Sequence, residues 1–109
     1  MSQKFGSTFV LESRLLLFSG PATLTLTNTD AVVRLAGFTT SDDLIGMTGG
    51  VDGRIMFIVC GSRTIPMDIV GESLSAAAAD RFADSHTIDP DTAGGFIYDG
   101  AISRWTKFL

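Results

Sequence analysis

A chain of 109 residues can hold one core and leaves no room for a second domain of ordinary size. Eight Lys and Arg against twelve Asp and Glu give a net charge of −4, the reverse of the clustered positive charge that a phosphate backbone attracts, so no nucleic-acid partner is expected. Apolar residues make up 45% and charged ones only 18%, which points to surface covered by a partner, yet the apolar runs fall far short of the roughly twenty residues that cross a bilayer, so no membrane is expected.

Residues 1–6 are largely polar. The stretch after Lys4 is interrupted by Ser7, Thr8, Glu12 and Arg14, which breaks the continuous apolar region that an export signal needs. Cytoplasmic synthesis is therefore expected. Cys60 is the only cysteine, which excludes an intrachain disulfide, and its apolar neighbours predict a buried thiol. Residues 7–18 read as extended chain, with Phe9, Val10 and Leu11 followed by Leu15, Leu16, Leu17 and Phe18. Gly20-Pro21 opens a half-buried strand in which Ala22, Leu24 and Leu26 alternate with Thr23, Thr25 and Thr27. Asn28-Thr29-Asp30 makes a turn, and residues 31–35 follow as a second strand. Residues 39–43 are expected to be loop, because only Leu44 and Ile45 separate them from Gly46, and Gly49, Gly50 and Gly53 follow too closely for a useful helix.

From Ile55 to Cys60 the two faces of the predicted strand are both apolar: Ile55, Phe57 and Val59 on one, Met56, Ile58 and Cys60 on the other. Such a strand belongs in the middle of a structure, with a core on one side and a second layer or another subunit beyond. Residues 63–70 form a further strand with Ile65, Met67 and Ile69 inward, and Pro66 places it at a sheet edge or with that position facing away from a neighbour. Residues 71–84 carry the one helical composition, and a short helix or coiled loop packed by Leu74 and Phe82 is expected there, with Ser75 as a possible cap. After a brief strand at residues 87–89, the chain closes with a hairpin over residues 94–109. Asp99-Gly100 suits a two-residue turn. That turn would set Tyr98 opposite Ala101, Phe96 opposite Ser103, Ile97 opposite Ile102, and Gly94-Gly95 under Arg104 and Trp105, with the indole shielding the glycines.

About eight short strands at these spacings predict an all-β fold, a small β-sandwich or jelly roll in which residues 21–109 form the body and residues 1–20 an N-terminal extension or arm with short strands. Little in it resembles an active site. His86 has no partner at triad spacing and is read as a turn histidine. Asp42, Asp43, Asp52, Asp89 and Asp91 follow no calcium-loop pattern and read as solvated turn acids. Gly49-Gly50-Val51-Asp52-Gly53-Arg54 lacks the ending of a phosphate loop. Tyr98 and Trp105 suit a sugar-stacking platform, though hairpin core is the commoner use of such residues. No catalytic residue, metal or cofactor is expected. Arg81, Asp99 and Arg104 are expected to lock a loop onto the sheet through arginine hydrogen bonds.

Gly50-x-x-Gly53-Arg54 opening an apolar strand, Ile65-x-Met67-x-Ile69, Ala79-Asp80-Arg81-Phe82, and Gly94-Gly95-Phe96-Ile97-Tyr98-Asp99 with Ser103-Arg104-Trp105 together resemble a small β-module of tailed-bacteriophage virion proteins. The resemblance covers roughly residues 40–109. The module departs from its usual pattern at Asp80 and Cys60, where asparagine is common. Such modules occur at the tips of tail fibres and spikes and as free-standing cement proteins that decorate capsids, commonly as trimers. The resemblance therefore implies a homotrimeric structural protein of the virion. A fibre tip needs a stalk before it, and the residues before the module read as strands, so capsid decoration on the major capsid protein is the favoured reading. A receptor-binding tip is the alternative, and a lectin-like carbohydrate-binding domain the third. Phe5, Phe9, Val10 and Leu11 are expected to grip the capsid, and Phe57, Ile58, Tyr98 and Trp105 to lie in the core or at the oligomer interface.

Overall fold

A computed structural model describes residues 10–18, 20–36, 43–61 and 66–109. They form nine strands, the all-β architecture expected: β1 (Ser13–Leu17), β2 (Ala22–Leu24), β3 (Val32–Ala36), β4 (Asp43–Met47), β5 (Ile55–Cys60), β6 (Met67–Ile69), β7 (His86–Ile88), β8 (Ala93–Asp99) and β9 (Arg104–Lys107). The larger sheet has the order β1-β3-β5-β8-β9 and the smaller one β2-β4-β6-β7. Up to β6 the chain therefore changes sheet at every strand. A strand that leaves one sheet, crosses to the other and returns must run the same way as its predecessor. Accordingly β1, β3 and β5 are parallel, as are β2, β4 and β6, with a strand of the opposite sheet serving as the crossover that parallel neighbours require. The remaining pairings, β5 with β8, β6 with β7 and β8 with β9, are antiparallel. Four of the seven pairings are thus parallel, whereas a jelly roll is built from antiparallel Greek keys.

Alternation in the sequence decides which side chains meet between the sheets. Val33 and Leu35 of β3, Met56, Ile58 and Cys60 of β5, and Phe96, Tyr98 and Trp105 of the closing hairpin join Leu24, Leu44, Met47, Met67, Ile69 and Ile88 in one core. The Cys60 thiol is buried, as its neighbours predict. The polar groups of the two buried hairpin aromatics are paired: the indole N–H of Trp105 donates to the carbonyl of Met47 at 2.9 Å and the Tyr98 hydroxyl to that of Ala79 at 2.8 Å. The two rings meet edge to face with centroids 5.1 Å apart.

Several local expectations are corrected. Asp43, read as the end of a loop, opens strand β4, which runs to Met47 where no strand was expected, and all but its first residue are buried. Its second face is covered, since a Cβ on Gly46 would lie 2.8 Å from the carbonyl oxygen of Asp80 and 3.2 Å from the Cβ of Ala76. The hairpin exists, but Tyr98 pairs with Trp105 and Asp99 with Arg104, leaving four residues, 100–103, in the loop. Asp52 Oδ1 accepts from the N–H of Gly100, Asp99 Oδ1 from that of Ala101, and Ser103 takes a positive φ of 55°. These bonds hold a wider loop than a primed two-residue turn. Because the shift is even, Trp105 keeps the side expected of it. Gly95 is consequently covered by Phe108 and Leu109, with the N–H of Phe108 donating to the Gly95 carbonyl at 2.9 Å.

The segment 71–84 contains only a single 3-10 turn, Ala78–Asp80, without a side-chain cap. Phe82 packs fully inside, but Leu74 is 88% exposed. Backbone bridges from Arg81 to Gly46 and from Phe82 to Trp105 make this segment a strap between the sheets. β6 lies inside its sheet between β4 and β7 rather than at an edge, and it begins only after Pro66. Ile65 lies outside the described residues. His86 opens β7 instead of sitting in a turn, and its ring meets that of Phe96 in a T-shaped contact with centroids 6.5 Å apart.

Candidate interaction surface

Strand alternation that fills the core also fixes what the larger sheet shows on its other side. Register places Ser13, Val32, Phe57 and Gly95 in one row, Leu15, Arg34, Val59 and Ala93 in the next, and Ile55, Ile97 and Thr106 in the row beyond Phe57. Most of these side chains are apolar. Leu15 is 61% and Leu17 82% exposed, Ile55 is also exposed, and Phe57, Val59 and Ile97 are half-buried. Leu11, Ala31, Ile55, Phe57 and Phe108 line a groove of about 340 Å³ on this side, where the Phe57 and Phe108 rings meet edge to face. An apolar sheet face of this kind is a surface for another layer of protein.

One charge stands within it. Arg34 is exposed between Leu15 and Val59, and no hydrogen bond or ion pair joins it to any described residue. At the opposite end, Asp52, Gly53, Ile97, Tyr98, Asp99 and Thr106 line a shallow cavity of about 240 Å³. The Thr106 hydroxyl is the one buried side-chain polar atom among the described residues that lacks a partner.

The other arginines described are engaged within the chain. Arg14 makes a two-pronged contact with Asp30, Nε to Oδ1 at 2.9 Å and Nη2 to Oδ2 at 2.6 Å, which raises its own pKa and holds the Asp30 carboxyl below the usual range. The N–H of Thr27 also donates to Asp30 Oδ2, favouring the ionised form further. Arg54 donates to the carbonyls of Thr27, Asp30 and Gly49 and so ties two loops together. Arg104 grips both Glu72 oxygens at 2.8 and 3.0 Å and donates to the Ala78 carbonyl, which lowers the Glu72 pKa and fastens the strap to the hairpin. Among the described residues the Arg81 side chain bonds only the Ala76 carbonyl of its own loop, and Asp99 serves the hairpin turn.

Of the expected interface or core residues, Ile58, Tyr98 and Trp105 are in the core and Phe57 is on the outer face. Buried Tyr98 and Trp105 present no ring face for a sugar to stack on. Val10 is exposed and Leu11 half-buried at the groove, whereas Phe5 and Phe9 lie outside the described residues. Ser13–Leu17, read with the N-terminal extension, is the edge strand of the larger sheet. Asp43 and Asp68 are neighbours on β4 and β6, and Thr87 donates to Asp68 at 3.0 Å, so Asp43 is a strand residue and not a turn acid; Asp42 lies outside the described residues. Among the described residues no three His, Cys, Asp or Glu side chains come together as a metal site requires, and no helix is long and apolar enough to cross a membrane. Sequence reasoning overlooked Arg34, although its outward position follows from the alternation of Val33 and Leu35 about it. Comparison with protein-family models, curated proteins and solved structures finds no match to this chain.

Proposed function

We propose that the chain is a structural protein of a bacteriophage virion: a decoration protein whose body is a two-layer β-sandwich, which forms trimers on the outside of the capsid and stabilises the shell. The observation that carries this reading is the apolar outer face of the larger sheet, where Leu15, Leu17, Ile55, Phe57 and Val59 have no layer over them among the described residues. A protein built to hold other subunits together needs such a face. The order of motifs from Gly50 to Trp105 supplies the link to virion modules. Binding to the major capsid protein is assigned to Phe5, Phe9, Val10 and Leu11. No catalytic step belongs to this reading.

A second reading, the tip domain of a tail fibre or spike, is favoured by one feature of topology. β1 and β2 are each the first strand and an outer edge of their sheets, so among the described residues both sheets are open on the side where the parallel alternation begins. A preceding β-structured stalk can pair there. Quantitative mass spectrometry of purified particles from cells carrying the gene separates the two. A copy number close to that of the major capsid protein supports decoration. A few copies per particle overturns decoration in favour of the tip, and absence from particles overturns both.

A further inference from the structure

On the outer face of the larger sheet, opposite charges sit at opposite ends and cannot meet within one chain. Arg34 aligns with Val59 on β5, while the cavity containing Asp52 and Asp99 is also lined by Ile97, which aligns with Ile55. Four residues along β5 and two strands across amount to about 16 Å, well beyond side-chain reach. Arg34 therefore has no internal route to those carboxylates, and its neighbours across the sheet, Leu15 and Val59, are apolar. An exposed arginine on an apolar face is a poor fit to a lone chain and a good one to an interface.

We propose that copies of this chain meet through this face, and that the Arg34 guanidinium of one copy enters the Asp52–Asp99 cavity of the next. This rests on the trimeric reading and names the contact that would build it. The arginine and the cavity lie on different parts of the face, so the contact is reciprocal in a twofold pair and head-to-tail about a threefold axis, and the trimeric reading takes the second, in which three copies close into a ring. Planar guanidinium suits the site. Asp52 and Asp99 each use one carboxylate oxygen, Oδ1, on the hairpin turn, which leaves the other able to accept from Arg34. Thr106 lines the same cavity and carries the unpartnered hydroxyl. Around this pair, Ile55, Phe57 and Val59 become buried, and the charge pair sets the register of an otherwise non-directional apolar contact.

The test is sedimentation equilibrium on the full chain across its own dissociation range, for wild type, Arg34→Glu, Asp52→Lys and the double variant. Circular dichroism on every variant provides the folding control: the Arg34 side chain makes no hydrogen bond or ion pair with a described residue, whereas Asp52→Lys removes the bond from the Gly100 N–H. Each single change is expected to raise the dissociation constant about a hundredfold. The double change, which reverses the pair in every interface, is expected to recover most of that loss, whereas Arg34→Lys should cost less than Arg34→Glu. Oligomers of unaltered affinity in Arg34→Glu, or a double variant no tighter than the weaker single, overturn the inference while leaving a trimer intact. A wild-type chain that stays monomeric at micromolar concentration overturns the trimer and this contact together. A stable dimer with full charge-reversal rescue keeps the Arg34 pair and overturns the threefold ring.

Discussion

Trp105 is buried completely, and its value to the fold lies as much in one nitrogen as in its area. The indole N–H reaches across the core from the closing hairpin to the Met47 carbonyl, joining the last strand of the larger sheet to the smaller sheet. Trp105→Phe keeps an aromatic ring but leaves that carbonyl unpartnered in a buried place, so a loss of about 1–3 kcal/mol is expected, before any contribution from the void left by the smaller ring. Urea unfolding should show a lower midpoint at unchanged slope, and an unaltered midpoint would mean the bond contributes nothing. Asp30 acts through pH instead. Its carboxyl is held below its ordinary value of 3.8 mainly by the hydrogen bonds from Arg14, so its contribution is fully present above that value and is lost as pH falls through the lower folded one. Asp30→Asn is expected to be less stable than wild type at pH 7, with the two stability curves converging as pH falls below about 4. Because Arg14 is partly exposed, the difference should be small and should shrink further in salt. Curves that stay parallel down to acid pH would assign Asp30 a role independent of charge.

Among the elements, those with strict alternation were legible from residues alone. Thr25 and Thr27 point out around a buried Leu26, and Met56, Ile58 and Cys60 point in, as period two requires. The outer face was half legible in the same way, through the second apolar face of β5. β4 was not, because Leu44, Ile45, Gly46 and Met47 are all buried, between the core and the strap, and a strand covered on both sides shows no alternation. Nor were the parallel pairings, since which strand lies beside which depends on contacts far apart in sequence. The same distance hid the ion pairs: Arg14 lies 16 residues from Asp30 and Arg104 lies 32 from Glu72. The strap at 71–84 shows how a helical stripe misleads. Leu74 and Phe82 share a face only if a helix forms, and with one 3-10 turn present they part company. Phe82→Ala is accordingly expected to cost about 3–5 kcal/mol, as for other large buried aromatic residues. Leu74→Ser should change stability by no more than about 0.5 kcal/mol, as at exposed sites. Equal losses at the two positions in denaturant titrations would restore the helical packing.

At the scale of the whole molecule, the question is where the foldable body ends and the partner-binding segment begins. Residues 1–20 were set apart by sequence, yet β1 pairs with β3 along its whole length, and the N–H of Val32 also donates to the Glu12 carbonyl at 3.1 Å. The body therefore includes Glu12 onward. Before it, the described side chains are Val10, which is exposed, and Leu11, which lines the outer groove without entering the core. Deleting residues 1–11 is thus expected to leave a folded protein whose unfolding midpoint is close to wild type, because neither described residue removed, Val10 or Leu11, belongs to the core cluster or to a strand. If Phe5, Phe9, Val10 and Leu11 hold the capsid, the same deletion abolishes decoration, since several weak apolar contacts repeated by three linked copies would vanish at once. The measurement is co-sedimentation of the truncated chain with undecorated particles, alongside circular dichroism and mass in solution. Aggregation on truncation would show that the deleted residues protect the open edge of β1, whose Leu15 and Leu17 are exposed. A folded truncated chain that still decorates at wild-type occupancy would overturn the assignment to residues 5–11 and move the capsid contact to the loops of the body, first of all those on either side of β7, residues 84–85 and 89–91.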